Sequence, residues 1–230
     1  MAAAFSPIPE LNLLKDFQST MEAAYFSEGF ELWPYGGRYP GLIADWLDLK
    51  APCGPDEQER LDRLIPFAQA TGSGSFYVLW RCDDRTDLAT LPVVFFGDEG
   101  DLDIVAGGLR EFFQVLALDT EWALNGDEDE EEEGIEENEG DEEDEEDRED
   151  REDREDREDR EDREDREDRE ELAKGYAEYL AWLERTFGLG LPEDPDALTD
   201  AARRAYGRHL ATWLRDLLPH TFEIPTPPYR

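Results

Sequence analysis

The sequence has few of the residues on which metal centres and many active sites depend. It contains two histidines, His209 and His220, and two cysteines, Cys53 and Cys82. The cysteines do not have the spacing of a zinc site or of a disulfide framework. Neither histidine belongs to the His-Glu-x-x-His motif of zinc proteases. We therefore expect reduced cysteines, histidines that are structural or solvent-exposed, no bound metal and no cofactor.

Long apolar runs and basic patches are also absent from the sequence. No segment approaches the roughly 18 apolar residues that a membrane-spanning helix requires. The first residues, MAAAFSPIPELN, have neither the basic start nor the apolar stretch of a signal peptide. A net charge of −39 would repel nucleic-acid phosphates. The sequence thus predicts a cytoplasmic protein with no membrane and no nucleic-acid partner, and it leaves the oligomeric state unknown.

Recognisable catalytic motifs are missing as well. GSGS at 72–75 lacks both the G-x-S-x-G pattern of a nucleophile elbow and the lysine of a phosphate-binding loop. The stretch that begins at Asp127 has Glu132 where the EF-hand calcium loop requires glycine. GDEGDLD at 97–103 groups four acids that could hold a hard cation, although a hairpin turn between two strands also explains it. We therefore predict that the protein is not an enzyme.

One segment is overwhelmingly acidic. Residues 127–170 carry 32 acidic and 8 basic side chains, a net charge of −24, and Ile135 is their one apolar residue. Such a composition cannot form a core. From residue 148 onward the tract repeats Arg-Glu-Asp, which places pairs such as Asp150 and Arg154 four residues apart and favours a helix weakly. We expect disorder from Asp127 to about Gly140, and then a solvated, partly formed helix that continues into Leu172.

The remaining 186 residues have an ordinary composition and a net charge of −15, and they suffice for one good core or two small ones. Residues 72–82, 91–100 and 101–107 are typical of β-strands. Residues 10–27 and 108–122 have the apolar spacing of helices. The helix after the third strand places Leu109, Phe112, Phe113 and Leu116 inward. The fold class predicted is α+β, with a mixed or antiparallel sheet.

Two further helical stretches follow the acidic tract, one beginning near Leu172 and one near Pro195. Their apolar faces predict a C-terminal helical hairpin that docks on the α+β body. Another helix is expected from Pro55, with Leu61, Leu64 and Ile65 on its inner face and an end or kink at Pro66. The domains predicted are an α+β domain over 1–126, an acidic low-complexity linker over 127–170, and a helical pair with an extended tail over 171–230.

The stretch ELWPYGGRYP concentrates residue types that are enriched at protein-binding hot spots. These candidate partner-binding residues are Trp33, Tyr35, Arg38 and Tyr39, to which we add Asp98 and Glu99 of the acidic turn. The same aromatic residues could instead hold an irregular loop against the core. Both interpretations remain open from the sequence.

Residues 64–117 resemble bacterial members of the SUKH superfamily, which includes the yeast cell-wall-assembly regulators. The resemblance lies in PFAQATGSGSFYVLW, LPVVFFGDEG and GLREFFQVLA. It implies a compact α+β fold without catalysis. Bacterial members are mainly immunity proteins that bind and neutralise a cognate toxin. The resemblance thus implies a protein partner and supplies no catalytic residue.

Charge provides an independent argument for the partner. Residues 1–126 alone have a net charge of −13, and an acidic protein is steered towards a basic one. The leading hypothesis is a non-enzymatic immunity protein that neutralises a basic toxin. The alternatives are a polyanionic protein that mimics nucleic acid or buffers cations through the tract, a general scaffold or regulator on the same fold, and an enzyme of unrecognised type.

Overall fold

Five antiparallel strands form one sheet at the centre of the fold. The computed structural model describes the backbone of residues 4–36, 41–49, 53–125 and 145–217. It describes the side chains of these residues except those of 119–165 and Pro195. Neighbouring strands in the sheet are also neighbours in the chain. The protein is therefore α+β with an antiparallel sheet, as predicted. The strands are β1 Glu31–Leu32, β2 Leu64–Gln69, β3 Phe76–Trp80, β4 Val93–Phe96 and β5 Leu102–Ala106.

Helices precede, interrupt and follow this sheet. The predicted strands β3, β4 and β5 and the helix that follows them are all present. The helices of the described residues are α1 Pro9–Thr20, α2 Leu42–Trp46, α3 Pro55–Leu61, α4 Leu109–Asn125, α5 Glu145–Phe187 and α6 Pro195–Leu217.

Both faces of the sheet are buried. Every residue of the central strand β3 is buried, because its apolar side chains alternate between two separate cores. We call the core that contains Phe67, Tyr77 and Leu79 the first core, and it packs against α1, α4 and α5. The core that contains Phe76, Val78 and Trp80 is the second core, and it packs against α2, α3 and α6. The structure thus has three layers, with the sheet in the middle.

The helix pair on the first face is made by α4 and α5. The Arg110 guanidinium lies 5.4 Å from the Phe187 ring, and the Tyr179 hydroxyl donates to the Phe113 carbonyl at 2.9 Å. These contacts hold α4 against the last turns of α5. Tyr179 is fully buried, which raises the pKa of its hydroxyl well above its usual range.

The last helix, α6, docks on the opposite face. Thr199 donates to the Val105 carbonyl of β5 at 3.1 Å, and the Arg203 guanidinium pairs with the Asp103 carboxylate. Farther along α6, the Trp213 ring lies 5.7 Å from that of Trp80. The two C-terminal helices were expected to pack together as a hairpin, but the sheet lies between their apolar faces. The reason is that each face of the sheet needs an apolar cover.

The first helix is shorter than its apolar pattern predicts. It was expected over 10–27 but ends at Thr20. Beyond it, Glu178 accepts hydrogen bonds from the backbone amides of Glu22 and Ala23, and Glu171 accepts one from Ala24 at 2.6 Å. These carboxylates of α5 satisfy donors that would otherwise need helical or solvent partners, so the chain leaves the helix here.

The helix from Pro55 was also predicted too long. It ends at Leu61, and Leu64 and Ile65 belong to β2 together with Pro66. The backbone amide of Arg81 donates to the Arg63 carbonyl, so the backbone polar groups of Arg63 and Ile65 point towards β3. The backbone nitrogen of Pro66 therefore points away from β3. A proline is tolerated at such a position because no ladder hydrogen bond needs its missing N–H.

Much of the acidic tract lies at the start of α5. The helix begins at Glu145 and continues without a break through Leu172 to Phe187, which confirms a helix that runs into Leu172. The disorder predicted for 127–140 falls outside the described residues. From Arg166 to Glu170 the side chains are exposed, and burial begins at Leu172. Gly188 ends the helix with φ of +67°, as expected of a helix C-cap.

Replacing Phe112 with alanine should strongly destabilise the fold. The Phe112 side chain lies on α4 and is fully buried, and its ring contacts the rings of Phe67 and Tyr77. The free energy of unfolding should fall by about 3–5 kcal/mol, the usual cost of a truncated buried aromatic residue. Urea denaturation measures the change. Leu13→Ala is the control, because Leu13 is exposed and its loss should cost about 0.5 kcal/mol or less.

Replacing Gly175 with alanine should destabilise the docking of α5. A Cβ atom at this position would overlap the Tyr25 carbonyl oxygen and lie 3.0 Å from the Phe26 Cα. Helix propensity alone favours alanine by about 1 kcal/mol. The free energy of unfolding should nevertheless fall by about 1–3 kcal/mol, because the forced backbone shift costs more than this gain. The exposed Ala177→Gly is the matched control and should lose only about 0.5–1 kcal/mol. A more stable Gly175→Ala variant would contradict this close approach.

Candidate binding pocket

A pocket of about 730 Å³ opens between the end of β1, the start of β2 and the helices α2 and α3. Its walls are mainly apolar, with contributions from Trp33, Ile43, Leu61 and Leu64. Gln58 of α3 adds an amide, and Asp62, which directly follows that helix, adds a carboxylate. Pockets of this size with a few polar groups are typical of binding sites. We therefore take this pocket as the candidate functional site.

Trp33 forms the inner wall of the pocket. The amide of Trp33 donates to the Phe67 carbonyl at 2.8 Å, which holds the residue at the edge of β2. The indole ring is 8% exposed and lies 6.1 Å from the Phe76 ring. Phe76 in turn stacks on Phe96 at 5.1 Å. Trp33 therefore packs against the core, as one of the two interpretations of this aromatic loop expects.

Tyr35 is exposed instead. Its backbone amide donates to the Phe5 carbonyl at 3.2 Å, while the residue is 39% exposed at the pocket. Tyr35 and Leu13 are the exposed large hydrophobic residues of the described chain. Arg38 and Tyr39 lie outside the described residues. Two of the four predicted aromatic-loop residues thus meet at one pocket, one as its wall and one at its surface.

Carboxylates surround this side of the molecule. Asp62 lines the pocket and accepts a hydrogen bond from the Gln58 amide at 2.8 Å. Asp45 of α2 and both Asp56 and Glu59 of α3 are exposed, and none of them forms an ion pair with a described lysine or arginine. The nearby Arg63 pairs instead with Asp84 at 3.6 Å. Helices α2 and α3 thus carry four acidic side chains and one basic side chain, Arg60.

Asp98 and Glu99 do not line the pocket. They are exposed in the turn between β4 and β5, where Gly97 donates to the Asp101 carbonyl and Gly100 has φ of +93°. Ser75 donates to the Asp98 carboxylate at 2.7 Å, and the hydroxyls of Ser75 and then Ser73 lower the pKa of that carboxyl. The hairpin interpretation of this acidic stretch is the correct one.

No three histidine, cysteine or acidic side chains among the described residues are placed to hold a metal ion. His209 is exposed on α6 with its ring 4.9 Å from that of Trp80, and His220 is outside the described residues. Within the same ranges, no helix has the length and apolar content needed to cross a membrane.

The pocket contains residues that the sequence did not identify. Ile43 lies on α2, Gln58 lies on α3, and Asp62 directly follows α3. Helix α2 was not predicted at all, because a five-residue helix carries too little periodicity to be recognised.

Comparison of the chain with protein-family models, with curated proteins and with solved structures found no match in any of the three. The resemblance to the SUKH superfamily therefore rests on the residues quoted above.

Replacing Ser75 with alanine should raise the pKa of the Asp98 carboxyl towards its ordinary value. The Ser75 hydroxyl is the largest cause of the lowered pKa. A lowered folded-state pKa contributes stability that is present above the unfolded pKa and is lost as the pH falls through the folded one. An NMR titration of the Asp98 carboxyl carbon measures the shift. Thr86→Ala, at the opposite end of the sheet, should leave the Asp98 pKa unchanged.

Proposed function

We propose that the chain is a SUKH-like, non-enzymatic immunity protein that binds a basic toxin in the cytoplasm and neutralises it. The observation that carries this proposal is a pocket with an exposed tyrosine and with two acidic helices in its wall. Asp62 lines the same pocket as Tyr35, and the exposed acids Asp45, Asp56 and Glu59 form no ion pair with a described lysine or arginine. Tyrosine is enriched among residues that dominate binding energy.

The charge of the partner follows from electrostatic complementarity. An acidic surface accelerates encounter with a basic protein and rejects acidic ones. A toxin that attacks nucleic acid must itself present a basic surface to phosphates. An acidic inhibitor can occupy that surface and exclude the substrate. This logic needs no catalytic residue in the chain.

A second candidate function gives the main role to the acidic tract. The repeats are part of α5, and the same helix continues into the docked segment. The helical residues 145–170 correspond to a rod of roughly 39 Å at about 1.5 Å per residue. Such a rod could act as a nucleic-acid mimic or a cation buffer while the body only carries it. The two functions differ in which part of the chain holds the partner.

The test of the leading function begins with purification of the tagged, full-length chain from its own cells and identification of the protein bound to it. We expect a basic protein that stops growth of a host strain when expressed alone and is harmless when expressed with this chain. Absence of a bound protein, or a bound protein whose effect the chain does not alter, would overturn the proposal.

The contribution of the tract can be measured on the same complex. In a variant, a short Gly/Ser linker replaces residues 126–165 and joins α4 to the docked part of α5. Charges beyond about 8 Å are screened at physiological ionic strength. The linker should therefore slow association at low salt and leave dissociation unchanged. Binding kinetics at low and high salt measure both rates. Dissociation about a hundredfold faster at high salt would favour the tract as the binding element.

A further inference from the structure

We infer that the pocket beside Tyr35 receives a segment of the partner protein in which a large apolar side chain is flanked by lysine or arginine. This inference rests on the proposed function and specifies the contact site and the chemistry that the site recognises. It combines three observations: an apolar cavity, an exposed aromatic residue at its surface, and carboxylates without described cationic partners.

The cavity matches an apolar side chain. Ile43, Leu61, Leu64 and Trp33 supply most of its wall and are themselves buried. An apolar group that enters would exchange water for these side chains, and burial of apolar area is favourable by about 25 cal/mol per Å². Gln58 and Asp62 offer polar side-chain contacts to the entering group, and the larger, apolar part of the wall selects for shape and apolar surface.

The exposed ring of Tyr35 argues for a protein rather than a small molecule. Exposed large hydrophobic residues are rare on the described surface, and a tyrosine beside a pocket can pack on an inserted side chain while its hydroxyl stays in water. Asp45, Asp56 and Glu59 lie on the helices outside the cavity lining. A ligand confined to the cavity would leave these carboxylates unused, whereas a chain segment that continues past the pocket can reach them.

Charge then selects the residues beside the anchor. Asp62 lies in the pocket wall and makes its hydrogen bond with a neutral amide. A lysine or arginine next to the inserted side chain would find this carboxylate at the pocket and the acids of α2 and α3 around it. Hydrogen bonds between ionised partners are about twice as strong as neutral ones. The preferred segment therefore alternates basic and apolar residues.

The experiment uses the full-length chain and three synthetic peptides. The probe is acetyl-Ser-Lys-Trp-Arg-Leu-Lys-Ser-amide. One control peptide has serine in place of Trp and Leu at unchanged charge, and the other has glutamine in place of Lys and Arg at unchanged apolar content. NMR titration follows the methyl signals of Ile43, Leu61, Leu64 and Ile65. We expect these signals to shift with the probe, and each control to bind about tenfold or more weakly.

Two variants test whether the pocket itself binds. Tyr35→Ala and Asp62→Asn should each weaken binding of the probe peptide. Leu13→Ala removes the other exposed large hydrophobic residue and should leave this binding unchanged. Folding of each variant is checked by its thermal unfolding. Equal binding of the serine control, shifts spread over the acidic surface, or no shift at all would overturn the inference. Neutralisation of a toxin without peptide binding would leave the proposed function intact and place its contact elsewhere.

Discussion

The fold depends on a sheet whose central strand is apolar on both faces. Phe76, Val78 and Trp80 point to one side and Tyr77 and Leu79 to the other, and all five are buried. An antiparallel sheet of this kind needs a cover on each face, since exposed faces of this size drive association. Residues from both sides of the acidic tract provide this cover. Helices α1, α4 and α5 cover the first core, and helices α2, α3 and α6 cover the second core. Residues 1–126 therefore share their cores with the C-terminal helices.

Local pattern was sufficient to predict the elements that this sheet organises directly. β3 and β4 follow from their β-branched and aromatic content, β5 follows from alternation, and the inward positions of α4, including Phe112 and Phe113, follow from helical spacing. The errors occur where a distant residue overrides the local pattern. Glu171 and Glu178 take the amides that follow Thr20, about 150 residues away in the chain. The sheet similarly draws Leu64 and Ile65 out of the predicted helix, which no spacing within PDEQERLDRLIP reveals.

The residues of the candidate site likewise divide into those that the local sequence predicts and those that depend on distant parts of the chain. An aromatic loop predicts that some of its side chains are buried and some are exposed, but the choice between Trp33 and Tyr35 depends on β2 and the N-terminal segment. Helix α2 supplies Ile43, helix α3 supplies Gln58, and Asp62 directly follows α3. Acids in such helices are visible in the sequence as charge alone, and their position beside a cavity appears only after the chain has folded.

Helix α5 is continuous from Glu145 to Phe187, so the exposed turn at residues 166–170 is joined directly to the turns that are buried from Leu172 onward. Three residues correspond to about 300° of helical rotation and about 4.5 Å of helix length. Gain or loss of one Arg-Glu-Asp triplet would therefore shift the residues N-terminal to the change by about 4.5 Å along the helix axis and rotate them about it, while the docked turns stay in place. Repeat number thus sets how far, and in which direction, the charge of this helix extends from the body.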